Sequence, residues 1–395
     1  MESASFVDLD SLLDLRKFVA PEFVFGLDAR KLVGRYAQNV GARKVLLVTD
    51  RVLRSATPWV EEAVAALTGS DVPSVVFDSV SPNPRAAEVM AGAACYARER
   101  CNAVVAVGGG SVMDCAKGIG IVCSNGGNIL DFEGVDRISR PLPPLICIPT
   151  TSGTASEVSQ FVIVMDEGRR TKISIVSKAA VPDVALIDPA TTTTMTPYLT
   201  ACTGMDALTH AVEAFLANAS SPITDLHARE AVRLIHEALP AVIARPDDIN
   251  WRARMMLGSL QAGLAFSNAI LGAVHAMAHS LGGYLNLPHG ECNAILLGPV
   301  LAANYSAVPA KCAAVGEYFG LALAGLPDRV AADRLRAAVE MFRREVGITA
   351  TLGSLGVEKL SIPALAALAI TDACLATNPR AMMLRDLEAI YESAF

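Results

Sequence analysis

The chain has 395 residues, of which 52% are hydrophobic and 18% charged, and its formal net charge is −7. This length exceeds what one compact core usually holds, so two domains are expected, and the composition excludes extensive disorder. The acidic balance, without any basic run, argues against nucleic acid and anionic membranes as partners. The nine cysteines show no C-x-x-C spacing, and the first residues lack the pattern of a secretion signal. Both features predict free thiols in a reducing cytoplasm.

Apolar runs of strand length alternate with helical patterns through the first half of the chain. This alternation is typical of a parallel sheet covered by helices, and uniformly apolar strands indicate burial on both faces. Residues 168–171 are predicted to form the turn of a hairpin. The predicted strands lie at 23–26, 43–50, 74–78, 103–107, 144–148, 161–165, 172–176 and 184–188, with helices at 29–40, 58–68 and 86–101.

The strand signals stop after Pro189, and from Pro197 to the end the chain is Ala- and Leu-rich and predicted to be helical. The predicted domains are therefore residues 1–192, an α/β domain, and residues 193–395, an all-helical domain. Residues 255–290 contain no Asp, Glu, Lys or Arg, which is long enough for a membrane span. Because the run contains Asn, Gln, Pro, several glycines and three histidines, buried helices of a globular domain are the better interpretation.

A glycine-rich loop, Gly108-Gly109-Gly110-Ser111, follows the strand at 103–107 and opens a helix. Glycines let a phosphate approach the backbone closely, and the N–H groups of a helix N-terminus favour a pyrophosphate. The loop does not match the G-x-G-x-x-G fingerprint of dinucleotide-binding proteins. A tight turn without a ligand therefore remains the alternative.

Two further features favour a nucleotide site. Asp50 ends a strand, where a carboxylate can accept from ribose hydroxyls and repel a 2′-phosphate, which favours NAD over NADP. A loop of hydroxyls, residues 149–157, follows the strand at 144–148. Ligands of open α/β sheets bind at such carboxyl ends. The alternatives are an ordinary turn acid and a Ser/Thr-rich cap.

Histidines and one carboxylate form a candidate metal site. Asp206 and His210 are spaced i, i+4 and share a helical face, and so do His275 and His279. His289 follows a proline. One carboxylate with two or three imidazoles suits Fe²⁺, Zn²⁺ or Mn²⁺ better than Mg²⁺ or Ca²⁺.

Spacing does not decide which residues are ligands. Four ligands suffice, so one of the three downstream histidines can instead be catalytic or support a ligand. Helical spacing alone favours His275 and His279, and a helical ion pair is the alternative for the upstream pair. Two other histidines, His227 and His236, lie among charged residues and are predicted to be at a helix surface.

Taken together, these motifs resemble the iron-containing (group III) alcohol dehydrogenase family, which includes lactaldehyde reductase and 1,3-propanediol dehydrogenase. The similar stretches follow the family's order over nearly the whole length, and together they are highly specific. They are residues 108–117, 149–158, 203–213, 274–283, 288–290 and 377–380.

The resemblance implies a Rossmann-like α/β nucleotide domain and an all-helical metal-binding domain, as in dehydroquinate synthase-like folds, with a metal in the cleft between them. It implies the ligands Asp206, His210, His275 and His289, and a catalytic His279 beside the nicotinamide. The implied cofactors are NAD and Fe²⁺, with Zn²⁺ as the alternative metal. The implied protein is a cytoplasmic homodimer or larger homo-oligomer.

Other positions follow from the same resemblance. The implied cofactor-binding residues are Asp50, Gly109, Gly110, Ser111, Asp114, Thr150, Thr151, Thr154 and Lys172. The implied substrate pocket consists of Phe161, Phe266, Leu271 and Cys374. Two departures occur: residues 152–156 read Ser-Gly-Thr-Ala-Ser where the family often has Ala-Gly-Thr-Gly-Ser, and Ser280 replaces a usual proline.

The implied reaction is hydride transfer between a short-chain primary alcohol or aldehyde and NAD(H), with the metal as Lewis acid. Four alternatives remain open at this point. They are a dehydrogenase of glycerol, a hydroxyacid or a phosphorylated polyol; a family member with weak activity and a regulatory role; a sensor without catalysis; and a lyase that uses NAD transiently.

Overall fold

A parallel sheet lies at the centre of the N-terminal half. The computed structural model describes residues 17–169, 171–285 and 287–395. The strands of the described residues are β1 (Glu22–Phe25), β2 (Val45–Val48), β3 (Ser74–Phe77), β4 (Ala103–Gly108), β5 (Gly134–Val135), β6 (Leu145–Pro149), β7 (Phe161–Asp166), β8 (Thr171–Val176) and β9 (Val184–Ile187). Six of them form one sheet in the order β1-β9-β6-β4-β2-β3, and all of its pairs are parallel. The predicted parallel sheet is confirmed.

Helices cover both faces of this sheet, because successive side chains of a strand point to opposite sides. Val45 and Leu47 face one buried apolar cluster, and Leu46 and Val48 face the other. Every residue of β2 is fully buried, as its uniformly apolar sequence predicts. The helices of this half are α1 (Val33–Asn39), α2 (Arg51–Ala56), α3 (Trp59–Thr68), α4 (Ala86–Arg98) and α5 (Gly110–Asn125).

The C-terminal half is helical, as predicted, and no strand follows Ile187 among the described residues. The change from strands to helices occurs between the end of β9 and Pro197, where the next α-helix begins. These helices are α6 (Pro197–Leu216), α7 (Pro222–Ala244), α8 (Ile249–Ala269), α9 (Ala273–Leu285), α10 (His289–Asn304), α11 (Pro309–Tyr318), α12 (Asp328–Glu345), α13 (Ile362–Ala369) and α14 (Leu384–Glu392).

The predicted hairpin is confirmed, but it does not extend the parallel sheet. Strands β7 and β8 pair antiparallel, with Phe161 opposite Val176, and together with β5 they form a separate three-stranded sheet. Arg170, in the predicted turn, lies outside the described residues. Strand β8 packs against α9, and this contact brings Lys172 to the boundary between the two halves.

The uncharged run at 255–290 forms the end of α8, all of α9 and the start of α10, and most of it is buried. Within the described ranges, no single helix is long and apolar enough to cross a membrane. The pair α8 and α9 meets that test jointly, on length and composition only, and is bent by 99°.

The bend between α8 and α9 has an unusual backbone conformation at Ile270. This residue has φ 65° and ψ −163°, a region that is essentially restricted to glycine and costs roughly 1–3 kcal/mol. A β-branched residue gains nothing locally from this conformation, so the surrounding packing must hold it. The bend directs the first turn of α9 toward α6.

Two buried charges lie beneath the loop that follows β6. The Lys117 ammonium donates to the carbonyl oxygens of Ser159 and Phe161, each at 2.9 Å. Glu157 is 4% exposed, and burial raises the pKa of its carboxyl to about 7. A carboxyl with a raised pKa in the folded state stabilises the fold while it is protonated.

Replacing Glu157 with glutamine should therefore remove part of the pH dependence of stability. The contribution of Glu157 is fully present below pH 4.5, the usual value, and is lost as the pH rises through about 7. At about 1.4 kcal/mol per pKa unit, the loss amounts to about 3 kcal/mol in the free energy of unfolding. The unfolding temperature of Glu157→Gln should be higher than that of the parent at pH 8 and equal to it at pH 4. The same substitution at the exposed Glu392 is the control, and equal curves for both variants at pH 8 would contradict the prediction.

Candidate active site

Helix α6 carries the first two candidate metal ligands. Thr196 caps its N-terminus by accepting from the Leu199 N–H at 3.2 Å, and Pro197 occupies the first turn, where a missing N–H costs nothing. From Thr200 onward nearly all of the helix is buried. Asp206 and His210 therefore project into the interior from one face, as their spacing predicts.

Helices α9 and α10 bring two imidazoles to the same point. The Nε2 atoms of His275 and His289 each lie 3.7 Å from Oδ1 of Asp206, and Nδ1 of His210 lies 3.9 Å from its Oδ2. Ligand atoms about 2.1 Å from one tetrahedral ion would lie about 3.4 Å apart. The four side chains therefore come close to the spacing that a divalent ion requires.

Asn293 marks the point where these side chains converge. Its Nδ2 donates to Asp206 Oδ1 at 2.6 Å and lies 3.2 Å from Nε2 of both His275 and His289. A group with positive character thus already sits among three lone pairs. Across the described residues, buried Nδ1 of His210 also has no hydrogen-bond partner. Three lone pairs directed at one point, beside this Nδ1 of His210, fit a cation.

The charges of the site also suit a cation. Burial tends to raise the pKa of Asp206, but the surrounding histidines outweigh burial and hold that pKa well below its usual range. Burial lowers the pKa of His210 to about 3 and that of His289 well below its usual value. Burial also acts to lower the pKa of His275, but its hydrogen bonds to carboxylates raise it to about 9. The Asp206 carboxylate beside the neutral imidazoles of His210 and His289 is an electron-rich pocket.

His279 lies apart from this cluster. Its Nδ1 is 2.9 Å from Oδ2 of Asp372, and its ring stacks on His289 with centroids 5.3 Å apart. Burial acts to raise the pKa of Asp372, but His279 outweighs it and lowers that pKa to about 2. Asp206, His210 and His275 form one group of close ligand atoms, and His279, Asp372 and Cys374 form another. His279 thus bonds to Asp372, although its ring lies edge-on to that of His275 with centroids 6.1 Å apart.

The glycine loop lies against the hydroxyl loop on the opposite wall. A Cβ atom at Gly110 would lie 2.7 Å from the Thr154 side chain, and one at Gly109 would lie 3.2 Å from Thr151. Gly109 is also the N-cap of α5. The two loops thus approach so closely that side chains are excluded, which leaves backbone N–H groups to face a ligand.

Asp114 ties α5 to the hydroxyl loop and to strand β7. Its Oδ1 accepts from the Ser156 hydroxyl at 2.7 Å, and its Oδ2 accepts from the Ile163 N–H at 3.2 Å. Ser111 Oγ accepts from the Asn83 N–H at 3.3 Å. Both predicted cofactor residues therefore hold neighbouring loops in place as well as facing the cleft.

One cavity, about 820 Å³ including its open mouth, joins the two walls. The Phe161 and Phe266 rings form its apolar end, with centroids 5.8 Å apart, and the ring of His210 stacks on Phe266 at 4.3 Å. The predicted residues that line it are Gly110, Ser111, Asp114, Thr154, Lys172, Asp206, His210, His275, His279, His289, Phe161, Phe266, Leu271 and Cys374.

Four predicted cofactor residues do not line this cavity. Gly109, Thr150 and Thr151 belong to the two loops just described, and the Thr150 N–H donates to the Gly108 carbonyl at 3.0 Å. Asp50 lies at the same edge of the sheet, since β2 pairs with β4. Its Oδ1 accepts from the Leu53 N–H at 2.8 Å and so caps α2.

Three polar residues of the site were not predicted from the sequence. Glu213 contacts His275, Asp372 contacts His279, and Asn293 contacts Asp206. Glu213 had a recognisable signal, because it lies seven residues after Asp206 and so on the same helical face. Asp372 had none, because it is far from its partner in sequence.

Two family models match the chain. The model described as "Iron-containing alcohol dehydrogenase" matches residues 20–189, and "Fe-containing alcohol dehydrogenase family, C-terminal" matches residues 200–395. Together they cover nearly all of the chain.

Individual relatives match over similar lengths. The 1,3-propanediol dehydrogenase of Klebsiella pneumoniae is 40% identical, covering 94% of this chain and 96% of its own. The NAD-dependent methanol dehydrogenase of Bacillus methanolicus is 37% identical, covering 95% and 99%. A crystal structure of 1,3-propanediol oxidoreductase superimposes with a TM-score of 0.93 at 39% identity, covering 97% of this chain and all of its own. This chain belongs to the iron-containing alcohol dehydrogenase family.

Proposed function

We propose that the protein is an NAD-dependent alcohol dehydrogenase that interconverts a short-chain primary alcohol and its aldehyde with the aid of a divalent metal. One observation carries this proposal. A carboxylate and three imidazoles converge on one wall of a cavity, and a glycine loop at a helix N-terminus lies on the opposite wall. Family membership supports NAD and iron as the cofactors.

The metal would be held by Asp206, His210, His275 and His289. Fe²⁺ is the proposed ion and Zn²⁺ the alternative, because both accept mixed oxygen and imidazole ligation. When bound here, a divalent cation lowers the pKa of an alcohol as a Lewis acid, and NAD supplies the acceptor for its hydride.

The proposed cofactor-binding residues are those of the glycine loop, the hydroxyl loop and the two acids. Backbone N–H groups at the start of α5 would bind the pyrophosphate. Lys172 is half-buried in the cavity wall, and desolvation there lowers the pKa of its ammonium. The full set is Asp50, Gly109, Gly110, Ser111, Asp114, Thr150, Thr151, Thr154 and Lys172.

His279 would take up the alcohol proton. Its Nδ1 is engaged by Asp372 at 2.9 Å, which leaves Nε2 as the nitrogen able to accept a proton. Phe161 and Phe266, with Leu271 and Cys374, would exclude water and limit the pocket to small apolar carbon chains. Burial raises the pKa of the Cys374 thiol well above its usual value, so we assign it no nucleophilic role.

The domain boundary, assembly and location are also proposals. We place the boundary between residues 192 and 193. Strand β1 is an edge strand with Phe23 exposed, and exposed edges favour pairing, which supports a homodimer or larger homo-oligomer. All nine cysteines are free thiols, which supports the cytoplasm. Light scattering of the purified protein would measure the oligomer.

The test of function is metal analysis of anaerobically purified protein, followed by NADH formation with a panel of short primary alcohols, glycerol and hydroxyacids. Metal at about one ion per chain and NAD-dependent oxidation of a primary alcohol are expected. Preferential oxidation of glycerol or a hydroxyacid would change the proposed substrate class. A protein that binds metal and NAD but oxidises none of them would contradict the proposal and support a regulatory role.

A further inference from the structure

One carboxylate that is not among the four proposed ligands, that of Glu213, contacts a ligand directly. Glu213 is 5% exposed, and its Oε2 lies 2.6 Å from Nδ1 of His275. The same side chain accepts from the backbone N–H groups of Val274 at 2.7 Å and His275 at 3.4 Å. A carboxylate can only accept here, so Nδ1 of His275 must carry a proton.

These contacts satisfy the start of α9, which begins at Ala273. The first N–H groups of a helix have no partner within it, and Glu213 supplies partners for two of them from another helix. Asn378 supplies a third, accepting from the Ala273 N–H at 3.1 Å. Gly272 makes room for both, because a Cβ there would lie 2.9 Å from Oε1 of Glu213 and from Oδ1 of Asn378.

The position of Glu213 on α6 couples these contacts to the metal site. Asp206, His210 and Glu213 are spaced i, i+4 and i+7, so they share one face of α6. One rigid helix therefore presents two proposed ligands and also holds the third, His275, through its Nδ1. With Nδ1 engaged, Nε2 is the nitrogen that faces Asp206, at 3.7 Å.

His289 differs from His275 in this respect. Its side chain is 25% exposed, and within the part of the chain that the structure describes its Nδ1 has no hydrogen-bond partner. Only one of the two imidazoles that lie beside Asp206 Oδ1 is thus oriented by a carboxylate. Such outer partners fix ring orientation and raise ligand basicity.

We propose that Glu213 is a positioning residue that orients His275 for the metal and docks the first turn of α9 onto α6. The inference rests on the proposed function only for the presence of a cation at Asp206. It adds that cation affinity depends on a residue that does not touch the cation.

The test measures cation affinity rather than turnover. Glu213→Gln keeps the size of the side chain but removes the charge that holds Nδ1–H, and Glu213→Asp keeps the charge but draws it back from the ring. Zn²⁺ affinity, measured by chelator competition, should fall about 10- to 100-fold in Glu213→Gln. The visible spectrum of Co²⁺-loaded protein should shift, because it reports ligand geometry. The Zn²⁺ affinity of Glu213→Asp should also fall, and this variant provides the test if Glu213→Gln does not fold.

Asn378→Ala is the matched control, because it removes a cap from the same helix end without contacting His275. It should lower the unfolding temperature while leaving Zn²⁺ affinity within about threefold of the parent, well short of the effect expected for an outer partner of a ligand. Parent-like affinity and an unchanged Co²⁺ spectrum in both Glu213 variants would overturn the inference. Because affinity is the readout, a parent that binds Zn²⁺ but oxidises no alcohol would contradict the proposed function alone. A parent that binds no cation would overturn both.

Discussion

The His289→Ala variant is expected to lose divalent metal and, with it, alcohol oxidation. His289 is one of three proposed ligand histidines around Asp206, with its Nε2 3.7 Å from Oδ1. Zn²⁺ sites contribute about 10–16 kcal/mol over four ligands, so one ligand corresponds to about 3 kcal/mol or more. At about 1.4 kcal/mol per tenfold, affinity should fall by about 10²- to 10³-fold. Metal content after dialysis against a chelator, and NADH formation, measure both effects.

The control for this variant is another histidine with a hydrogen bond but no contact with the site. His227 lies 2.6 Å from Oε1 of Gln261 through its Nδ1 and does not line the cavity. His227→Ala should retain metal and turnover. If His289→Ala kept its metal while His279→Ala lost it, the proposed ligand set would be wrong and the helical pair at 275 and 279 would be right.

Local patterns in the sequence predicted most of the elements. Uniform apolar runs such as 103–107 became buried parallel strands, since only strands covered on both faces can bury every side chain. The separate sheet of β7 and β8 was not predicted. Which strands pair depends on contacts between distant segments, and a two-residue strand, β5, leaves no recognisable pattern.

The two remaining histidines were predicted to lie at a helix surface, and both lie on α7 and are half-buried. His236 has charged neighbours in sequence, but its ring stacks on Phe342 at 4.8 Å and lies edge-on to Phe319 at 4.9 Å. His227 is half-buried and stacks on Phe18 at 5.6 Å. Both partners come from other segments, so the environment of a helix residue cannot be read from its neighbours along the chain.

The candidate site shows the same division. Spacing predicted that Asp206 and His210 share a face, because helical geometry is local. Helical spacing alone favoured His275 and His279, and only the family resemblance put His289 in place of His279. Both histidines contact residues that are distant in sequence. His279 bonds to Asp372, 93 residues away, and His289, the first residue of α10, lies 3.7 Å from Asp206.

The His279→Ala variant should show the opposite behaviour to His289→Ala, keeping its metal while losing turnover. His279 lines the cavity beside the cluster but binds Asp372 rather than Asp206, so the four proposed ligands stay in place. Loss of a general base typically lowers kcat by ~10²- to 10⁴-fold. Because solvent must then accept the alcohol proton, the remaining rate should keep rising with pH as hydroxide increases. The measurements are metal content, kcat across pH and the KM for NAD. A variant with parent-like kcat, or one that loses its metal, would show that His279 does not have the proposed role. Metal retention together with a rate that rises with pH would separate proton transfer from metal binding within one histidine-rich segment.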